Sequence, residues 1–381
     1  MRFSTRGAVD PFIVMDVMEA ARLKELAGGD VIHMEVGQPA TPAPRLAREA
    51  LVAAMEREAL GYTVALGLPE LRARISRLYR EWYGLSVPAE RIVVTAGSSA
   101  GFLLTFLALF DAGDRVAIGD PGYPSYRNIL RGLDLEPVSI ATEASTRFQP
   151  APVHLENADL QGLLVASPAN PTGTMLGKGA LQALADACRR AGIAFISDEI
   201  YHGIQFDGRR PVSALEVTDE VFVINSFSKY FSMTGWRIGW MVVPESHVRM
   251  VERLAQNFFI CAPHASQVAA LGALDAVEEC EGHLAVYARN REILLNELPA
   301  AGFSRLAPCD GAFYLYADLS DLTDDSHAFT AAMLAEAGVA ATPGLDFDPV
   351  RGHRTMRFSF ARSTDDMVEA ARRLKTWMAR R

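Results

Sequence analysis

The sequence predicts an α/β protein whose main sheet is largely parallel and covered by helices. Short apolar runs alternate with helical patterns through the middle of the chain. The 381 residues, 50% of them hydrophobic, are enough for a sizeable core and for more than one domain. The net charge of -9 gives no overall field that would favour nucleic acid or an anionic membrane as a partner.

The predicted strands of the main sheet lie in the first two thirds of the chain. Arg91 to Phe110 is predicted to form a strand, a glycine turn and a helix. Four more buried strands are predicted at 114–120, 161–168, 192–201 and 220–229. A helix is predicted over 179–192. Strands that alternate with helices run mainly parallel, and ligands in such sheets gather beyond the carboxyl ends of the strands.

The C-terminal part of the sequence has a different pattern. Residues 311–320 and 354–361 alternate between polar and apolar, as in half-buried strands. Residues 365–381 are predicted to form an amphipathic helix, and the stretch 247–295 looks helical throughout. This pattern is typical of a smaller α+β unit joined to the main sheet by helices.

We therefore expect two domains. The large domain should span residues 40–275 and hold the main sheet. The smaller α+β domain should combine residues 1–39 with residues 276–381.

The cysteines and the apolar runs indicate the compartment. Four cysteines, at 188, 261, 280 and 309, lack CxxC or zinc-site spacing, so free thiols in a reducing compartment are expected. The first residues lack the apolar stretch of a signal peptide, and no apolar run approaches bilayer length. We expect a cytoplasmic protein without a membrane partner. No metal site is expected, because the histidines and cysteines lack ligand spacing.

Polar residues stand where the predicted strands end. In "AGSSAG", Gly97, Ser98 and Ser99 could form an anion cradle at a helix N-terminus. Serines also cap helices, and for this stretch alone capping is the stronger interpretation. A P-loop is excluded, because no lysine follows the glycines.

Three later strands end in the same way. Asn170 in "SPANPTG" could make a rigid turn, and Asp198 in "SDEIYHG" could form a salt bridge or a cap. In "SFSKYFSMTGWRIGW", Lys229 could be a solvated charge or a buried nucleophile, and Arg237 could grip an anion. Together these groups suit pyridoxal phosphate, because a lysine forms a Schiff base with its aldehyde and an acid pairs with its pyridinium nitrogen.

The chain resembles the class I/II aminotransferases, which have fold type I of the pyridoxal-phosphate enzymes. The likeness runs from "VGQP" at 36–39 to "RFSFA" at 357–361. The motifs "NPTG", "DEIY" and "SFSKxxxxxGWRIG" occur in the family's order and spacing. The resemblance implies a large domain with a mainly parallel seven-stranded sheet covered by helices, plus a smaller α+β domain.

The resemblance also assigns residues to the cofactor. Lys229 resembles the Schiff-base lysine, which shuttles a proton between Cα and C4′. Asp198 resembles the partner of the ring nitrogen. Tyr201 and Asn170 resemble the donors to the ring's phenolic oxygen, which lower the Schiff-base pKa, and Tyr123 is similar to the aromatic that stacks on the ring. The residues that resemble phosphate ligands are Ser98, Ser99, Ser226 and Arg237, with Gly97 in the turn and Ser228 as a weaker candidate.

Other residues resemble contacts to the substrate and to a second subunit. Arg357 resembles the arginine that clamps the substrate α-carboxylate, which Gly37 and Asn170 also approach. Tyr62 resembles the tyrosine that reaches the phosphate of the partner subunit. The resemblance thus implies a homodimer with shared active sites.

Structural interpretations remain open for some residues. Tyr123 could pack in a turn, and Tyr62 could cap the following helix. Trp236 and Trp240 are expected in the core. Three N-terminal residues could close over the substrate or pack in the core, namely Phe12, Ile13 and Met15.

The implied function is transfer of an amino group from an L-amino acid to a 2-oxo acid, by ping-pong half-reactions through pyridoxamine phosphate. A β-eliminating lyase of the C–S lyase type is the alternative on the same scaffold. A non-catalytic regulator that binds the cofactor is disfavoured, because no DNA-binding segment is attached and the catalytic positions are retained. Apolar residues at 256–267 favour neutral or aromatic substrates, although a second arginine could still bind dicarboxylates: Arg127, Arg131 or Arg253.

Overall fold

The computed structural model describes residues 1–381. The helices are α1 Ile13–Leu26, α2 Arg45–Met55, α3 Pro69–Tyr83, α4 Gly97–Leu109, α5 Pro124–Gly132, α6 Lys178–Ala191, α7 Glu245–Phe258, α8 His264–Ala273, α9 Val277–Ala300, α10 Ser326–Ala337 and α11 Thr364–Met378. The strands are β1 Ile32–His33, β2 Ile92–Thr95, β3 Arg115–Asp120, β4 Glu136–Ala141, β5 Gly162–Ala166, β6 Ala194–Asp198, β7 Phe222–Ser226, β8 Gly239–Val242, β9 Arg305–Leu306, β10 Tyr314–Asp318, β11 Val339–Ala340, β12 Thr342–Pro343 and β13 Thr355–Ser359.

Seven strands form the main sheet, in the order β2-β8-β7-β6-β5-β3-β4. Strands β3 to β7 pair in parallel, and only β8 runs antiparallel to its two neighbours. This confirms the mainly parallel seven-stranded sheet. All five strands predicted from 91 to 229 are present.

The central strands are apolar because helices cover both faces of the sheet. Strand β5 has the sequence GLLVA, and β7 has five buried residues. The polar side chains of β6 and β7 stand at the carboxyl ends, where Asp198 and Ser226 are the last residues. Helix α6 returns the chain between β5 and β6, and it ends at Gly192 in the left-handed conformation with φ 71°.

A second, four-stranded sheet has the order β12-β13-β10-β9. The two predicted half-buried strands are β10 and β13, which pair antiparallel. The N-terminal segment joins this region, because β1 pairs in parallel with β11. The stretch 247–295 is helical as predicted but is divided into α7, α8 and most of α9. The domain boundaries at 39/40 and 275/276 stay a prediction.

One core connects the two sheets. The largest cluster of buried apolar side chains holds 70 residues and includes Leu163 of β5 and Phe358 of β13. Trp240 lies in this core as expected, and its indole nitrogen donates to the hydroxyl of Tyr79. No helix combines the length and apolarity needed to cross a bilayer. Because one apolar cluster includes residues of both sheets, packing fixes the position of the second sheet against the main sheet.

Candidate active site

A cavity of about 190 Å³ lies between the carboxyl ends of the central strands and the second sheet. It brings together residues that lie far apart in the sequence. The predicted site residues that line it are Gly37, Ser98, Ser99, Tyr123, Asn170, Asp198, Tyr201, Ser228, Lys229, Arg237 and Arg357. Three larger clefts, of about 720, 600 and 500 Å³, are also present, and no lysine lines any of them.

Lys229 follows β7 and is the only lysine that lines the cavity. Its Nζ donates a hydrogen bond to the carbonyl of Gly37 at 2.7 Å. Burial and, after it, the nearby positive charges of Arg357 and Arg237 together lower the pKa of the amine to about 8, against the opposing effect of Asp198. A larger neutral fraction makes the amine a better nucleophile. The interpretation of Lys229 as a solvated charge is wrong.

Asp198 ends β6 and is 2% exposed. The hydroxyl of Tyr126 donates to Oδ2, and the amide of Ile200 donates to Oδ1 at 3.0 Å. The carboxylate forms no salt bridge, and burial raises its pKa to about 6 although both hydrogen bonds oppose this shift. An ionised carboxylate buried without a cation is costly, so the position favours a positively charged ligand group.

Arg357, on β13, is 3% exposed and has no carboxylate partner. Its Nη1 donates to Oδ1 of Asn170 at 2.9 Å, its Nη2 donates to the carbonyl of Glu35, and its Nε has no partner. This bond fixes the orientation of the Asn170 amide, with its oxygen toward Arg357. The NH₂ group of the same amide has no partner and is available as a donor. A buried guanidinium without an anion suits a carboxylate ligand.

Arg237 lies over the start of α4. Its Nη1 donates to the carbonyl of Thr234 at 2.9 Å, and it forms no salt bridge. A side chain at Gly97 would collide with the guanidinium, and Gly97 has φ 76°. The N-cap of α4 is Ala96, so the interpretation of Ser98 and Ser99 as helix caps is wrong. Their hydroxyls line the cavity beside a helix N-terminus and an unpaired guanidinium, which is a favourable place for a phosphate.

The two serines near Lys229 have different positions. Ser226 is buried, and its hydroxyl donates to Oγ of Ser228 at 2.8 Å while it accepts from the Ser228 amide at 3.0 Å. Ser228, the weaker candidate from the sequence, lines the cavity, whereas Ser226 does not. Ser226 therefore shapes the turn that presents Lys229.

The N-terminal segment covers one side of the cavity. The amide of Ile13, at the start of α1, donates to Oδ1 of Asp346 at 2.9 Å. The ring of Phe12 meets Tyr123 edge to face, with 5.9 Å between ring centres. Three residues of this segment line the cavity, namely Phe12, Val14 and Met15. The segment thus supplies an apolar wall.

Two tyrosines of the site were missed from the sequence. Tyr126 binds Asp198, and Tyr314 lies with its hydroxyl 2.6 Å from that of Tyr201. Tyr126 is three residues beyond Tyr123, so helical spacing on α5 could have placed both on one face. Nothing local marks Tyr314, which looks like any residue of a half-buried strand.

Tyr62 is not brought to the cavity of its own chain. Its side chain is 82% exposed. It does not cap the next helix either, because the N-cap of α3 is Leu68.

This fold and this cavity define a class of enzyme in which one lysine amine lies beside two arginines that can bind anionic groups of ligands. A family model described as "Aminotransferase class I and II" matches residues 29–374. The chain belongs to the class I and II aminotransferases, a family known to use pyridoxal phosphate, and it is a transferase of nitrogenous groups.

Individual relatives agree over the full length. The valine–pyruvate aminotransferase of Mycobacterium tuberculosis is 49% identical over 382 residues, which covers 99% of this chain and 98% of that protein. The crystal structure of an aminotransferase from the same organism superposes with a TM-score of 0.98 at 48% identity and covers 100% of both chains. A solved chain from Silicibacter pomeroyi is 62% identical, with a TM-score of 0.96 and 100% of both chains covered.

Proposed function

We propose that the protein is a pyridoxal-phosphate-dependent aminotransferase whose amino donors have neutral side chains. One observation carries the proposal: Lys229 shares one cavity with the buried carboxylate of Asp198, the buried guanidinium of Arg357 and the more exposed guanidinium of Arg237, none of which forms a salt bridge. Each of these charges lacks a partner within the protein and matches one charged part of the cofactor or the substrate.

The residues fit the cofactor. Asp198 would hold the protonated ring nitrogen, and that nitrogen would supply the cation which the buried carboxylate lacks. Arg237 and the start of α4 would hold the phosphate. Tyr123 would lie against the ring, and the free NH₂ of Asn170 would donate to the phenolic oxygen. When bound, the cofactor supplies an aldehyde for amines and an electron sink for the substrate Cα.

Lys229 has two tasks in this reaction. Its amine, with the pKa lowered to about 8, is the attachment point of the resting enzyme. While its Nζ is not attached to the cofactor, Lys229 would take the proton from the substrate Cα. The lowered pKa raises the neutral fraction of this amine, and the neutral amine is the form that can act as a base.

Arg357 orients the substrate. Two parallel N–H groups of its guanidinium can bind both oxygens of the α-carboxylate, which fixes the Cα near Nζ of Lys229. The rings of Tyr314 and Phe347 lie 4.3 Å and 4.7 Å from the guanidinium carbon and keep its plane in place.

The charges around the cavity support a neutral side chain. Its only lining cations are the three already assigned, Lys229, Arg237 and Arg357. Arg127 faces Asp120 at 3.6 Å, and Arg131 pairs with Asp10, so neither is free for a second carboxylate. The third arginine considered from the sequence, Arg253, does not line the cavity.

The walls of the cavity support an aliphatic donor. Val36 completes the apolar wall formed by the N-terminal segment. None of the residues 256–267 lines the cavity of the same chain, so within one subunit the preference for neutral substrates rests on the N-terminal segment and Val36 rather than on that stretch. The relative from M. tuberculosis is named for valine and pyruvate. We infer a branched aliphatic donor, with pyruvate as an acceptor.

We also infer a homodimer with shared sites. The loop that carries the exposed Tyr62 contacts a second exposed apolar segment. The amide of Thr63 donates to Sγ of Cys261 at 3.4 Å, and the nearby Phe258 and Ile260 are exposed as well. Such a patch is typical of an interface. The four unpaired cysteines are consistent with a reducing compartment such as the cytoplasm.

A donor screen tests the function. The holoenzyme is mixed with single amino acids without an acceptor, and the absorption of the bound cofactor is followed. Valine and other neutral donors should convert it fully, whereas aspartate should convert it slowly. Faster conversion by aspartate would contradict the proposed specificity. Release of ammonia and pyruvate from a β-substituted amino acid, without conversion of the cofactor, would favour the lyase alternative.

A further inference from the structure

Tyr314, at the start of β10, touches three functional groups at once. Its hydroxyl lies 2.6 Å from the hydroxyl of Tyr201, and its ring faces the guanidinium of Arg357. It also packs so closely on Gly37 that any side chain there would collide with its hydroxyl. Tyr314 is 1% exposed, so solvent does not reach this contact.

The hydrogen bond between the two tyrosines has a preferred direction. Burial raises the pKa of both hydroxyls, and the positive charge of Arg357 opposes that shift at both. Each hydroxyl carries a single hydrogen, so only one of the two tyrosines can donate in this bond. If Tyr201 donates its hydrogen to a ligand in the cavity, Tyr314 must be the donor in the bond between the two tyrosines.

We propose that Tyr314 is a positioning residue that donates to Tyr201 and so directs the hydroxyl hydrogen of Tyr201 toward the phenolic oxygen of the cofactor. The inference rests on the proposed function, because that function gives Tyr201 its partner. Hydrogen bonds in a chain polarise one another, so Tyr201 becomes a stronger donor. A stronger donor to the phenolic oxygen lowers the pKa of the nitrogen that links Lys229 to the cofactor.

The same contact connects substrate binding with this pKa. A carboxylate bound to Arg357 neutralises the positive charge that faces the ring of Tyr314, and this makes the Tyr314 hydroxyl a weaker donor to Tyr201. Tyr201 then becomes a weaker donor, and the pKa of the linked nitrogen rises when the substrate site is filled. Other charged or titratable groups face the cavity and stay unchanged in the variants below: Asp198, Lys229, Arg237, Tyr123 and Tyr126.

The test is a pH titration of the cofactor absorption in the holoenzyme. Tyr314→Phe keeps the ring and removes the hydroxyl, so the titration midpoint should rise by roughly half a pH unit. Tyr201→Phe should raise it further. The double variant should match Tyr201→Phe, because Tyr314 acts through Tyr201.

A second readout separates the hydroxyl from the ring. The carboxylate 3-methylbutanoate, which lacks an amine, should raise the midpoint of the wild type and raise it less in Tyr314→Phe. Its affinity should change by no more than about twofold in Tyr314→Phe and should weaken in Tyr314→Leu, which loses the ring beneath Arg357.

Several results would overturn the inference. A midpoint that falls in Tyr314→Phe would mean that Tyr201 donates to Tyr314 in the holoenzyme. An unchanged midpoint, or additive shifts in the double variant, would show that Tyr314 does not act through Tyr201. If the wild type carried no cofactor absorption at all, the proposed function itself would fail.

Discussion

At the scale of single residues, the two fully buried charges of the site, Asp198 and Arg357, are costly until ligands of opposite charge bind them. Asp198 has a pKa raised from its ordinary value of 3.8 to about 6 by burial. The folded apoprotein therefore binds a proton more tightly than the unfolded chain. Its stability falls as the pH rises from about 4 to about 6, and above that window the cost is fully present, up to about 3 kcal/mol.

Asp198→Asn should therefore separate stability from function. Without cofactor, the variant should unfold at a higher temperature than wild type at about pH 7.5, and the gain should shrink at about pH 4. With cofactor, it should lose most turnover, because no charge holds the ring nitrogen protonated. Thermal melts and steady-state rates check both, and Asp111→Asn, at an exposed site, is the control. Turnover near wild type would contradict the role of Asp198.

Arg357→Lys should lower kcat/KM for amino acids but not for simple amines. A lysine is a point charge without the paired donors of guanidinium. Each charge-assisted hydrogen bond contributes roughly 1.5–3 kcal/mol, so kcat/KM for amino acids should fall at least about tenfold. Amines without a carboxylate should react at nearly the wild-type rate. Equal losses for both substrates, with a lower melting temperature, would point to a structural role instead.

At the scale of elements, the start of α4 requires a glycine. Gly97 has φ 76°, and a side chain there would collide with the guanidinium of Arg237. Gly97→Ala should destabilise the fold by about 1 kcal/mol or more and should weaken cofactor affinity. Gly179→Ala is the matched control, because a side chain there meets nothing within 4 Å. Equal cofactor affinity in both variants, measured by fluorescence titration, would refute the close contact.

The sequence predicts which residues stand at the strand ends better than it predicts the residues that contact them. Lys229, Asp198 and Asn170 follow apolar runs, and parallel strands bring such positions to one edge. The partners of these residues come from distant segments: Tyr126 is 72 residues from Asp198, and Tyr314 is 113 from Tyr201. A local sequence pattern cannot predict a contact between residues so far apart in the chain.

Local backbone geometry explains the other points at which the structure differs from the predictions made from the sequence. Capping was expected from Ser98 and Ser99 because serines favour helix starts, but the helix begins at Gly97, two residues earlier than a cap by Ser98 requires. Ser226 and Ser228 differ only in which way the turn directs each hydroxyl, and that depends on the bond between them. Helical composition at 247–295 does not reveal where one helix stops and the next begins.

At the scale of the whole molecule, the shared-site dimer makes a prediction for hybrids. A mixed dimer of Lys229→Ala and Tyr62→Phe chains would have one site with both defects and one with neither. Adding excess Lys229→Ala protein should therefore raise turnover per Tyr62→Phe chain, although Lys229→Ala alone is inactive. Mixing with no gain, after subunit exchange is verified by mass, would contradict sharing through Tyr62. A fully active monomer in light scattering would refute the dimer.

The most direct test of the account is to locate the covalent attachment of the cofactor. The holoenzyme is reduced with borohydride, digested and mapped by mass spectrometry. We expect one label per chain, on Lys229, because it is the only lysine in the cavity, whereas the other lysines lie outside it: Lys24, Lys178 and Lys375. Lys229→Ala should abolish the label. A label on any other lysine, or none on a yellow wild-type protein, would contradict the central claim.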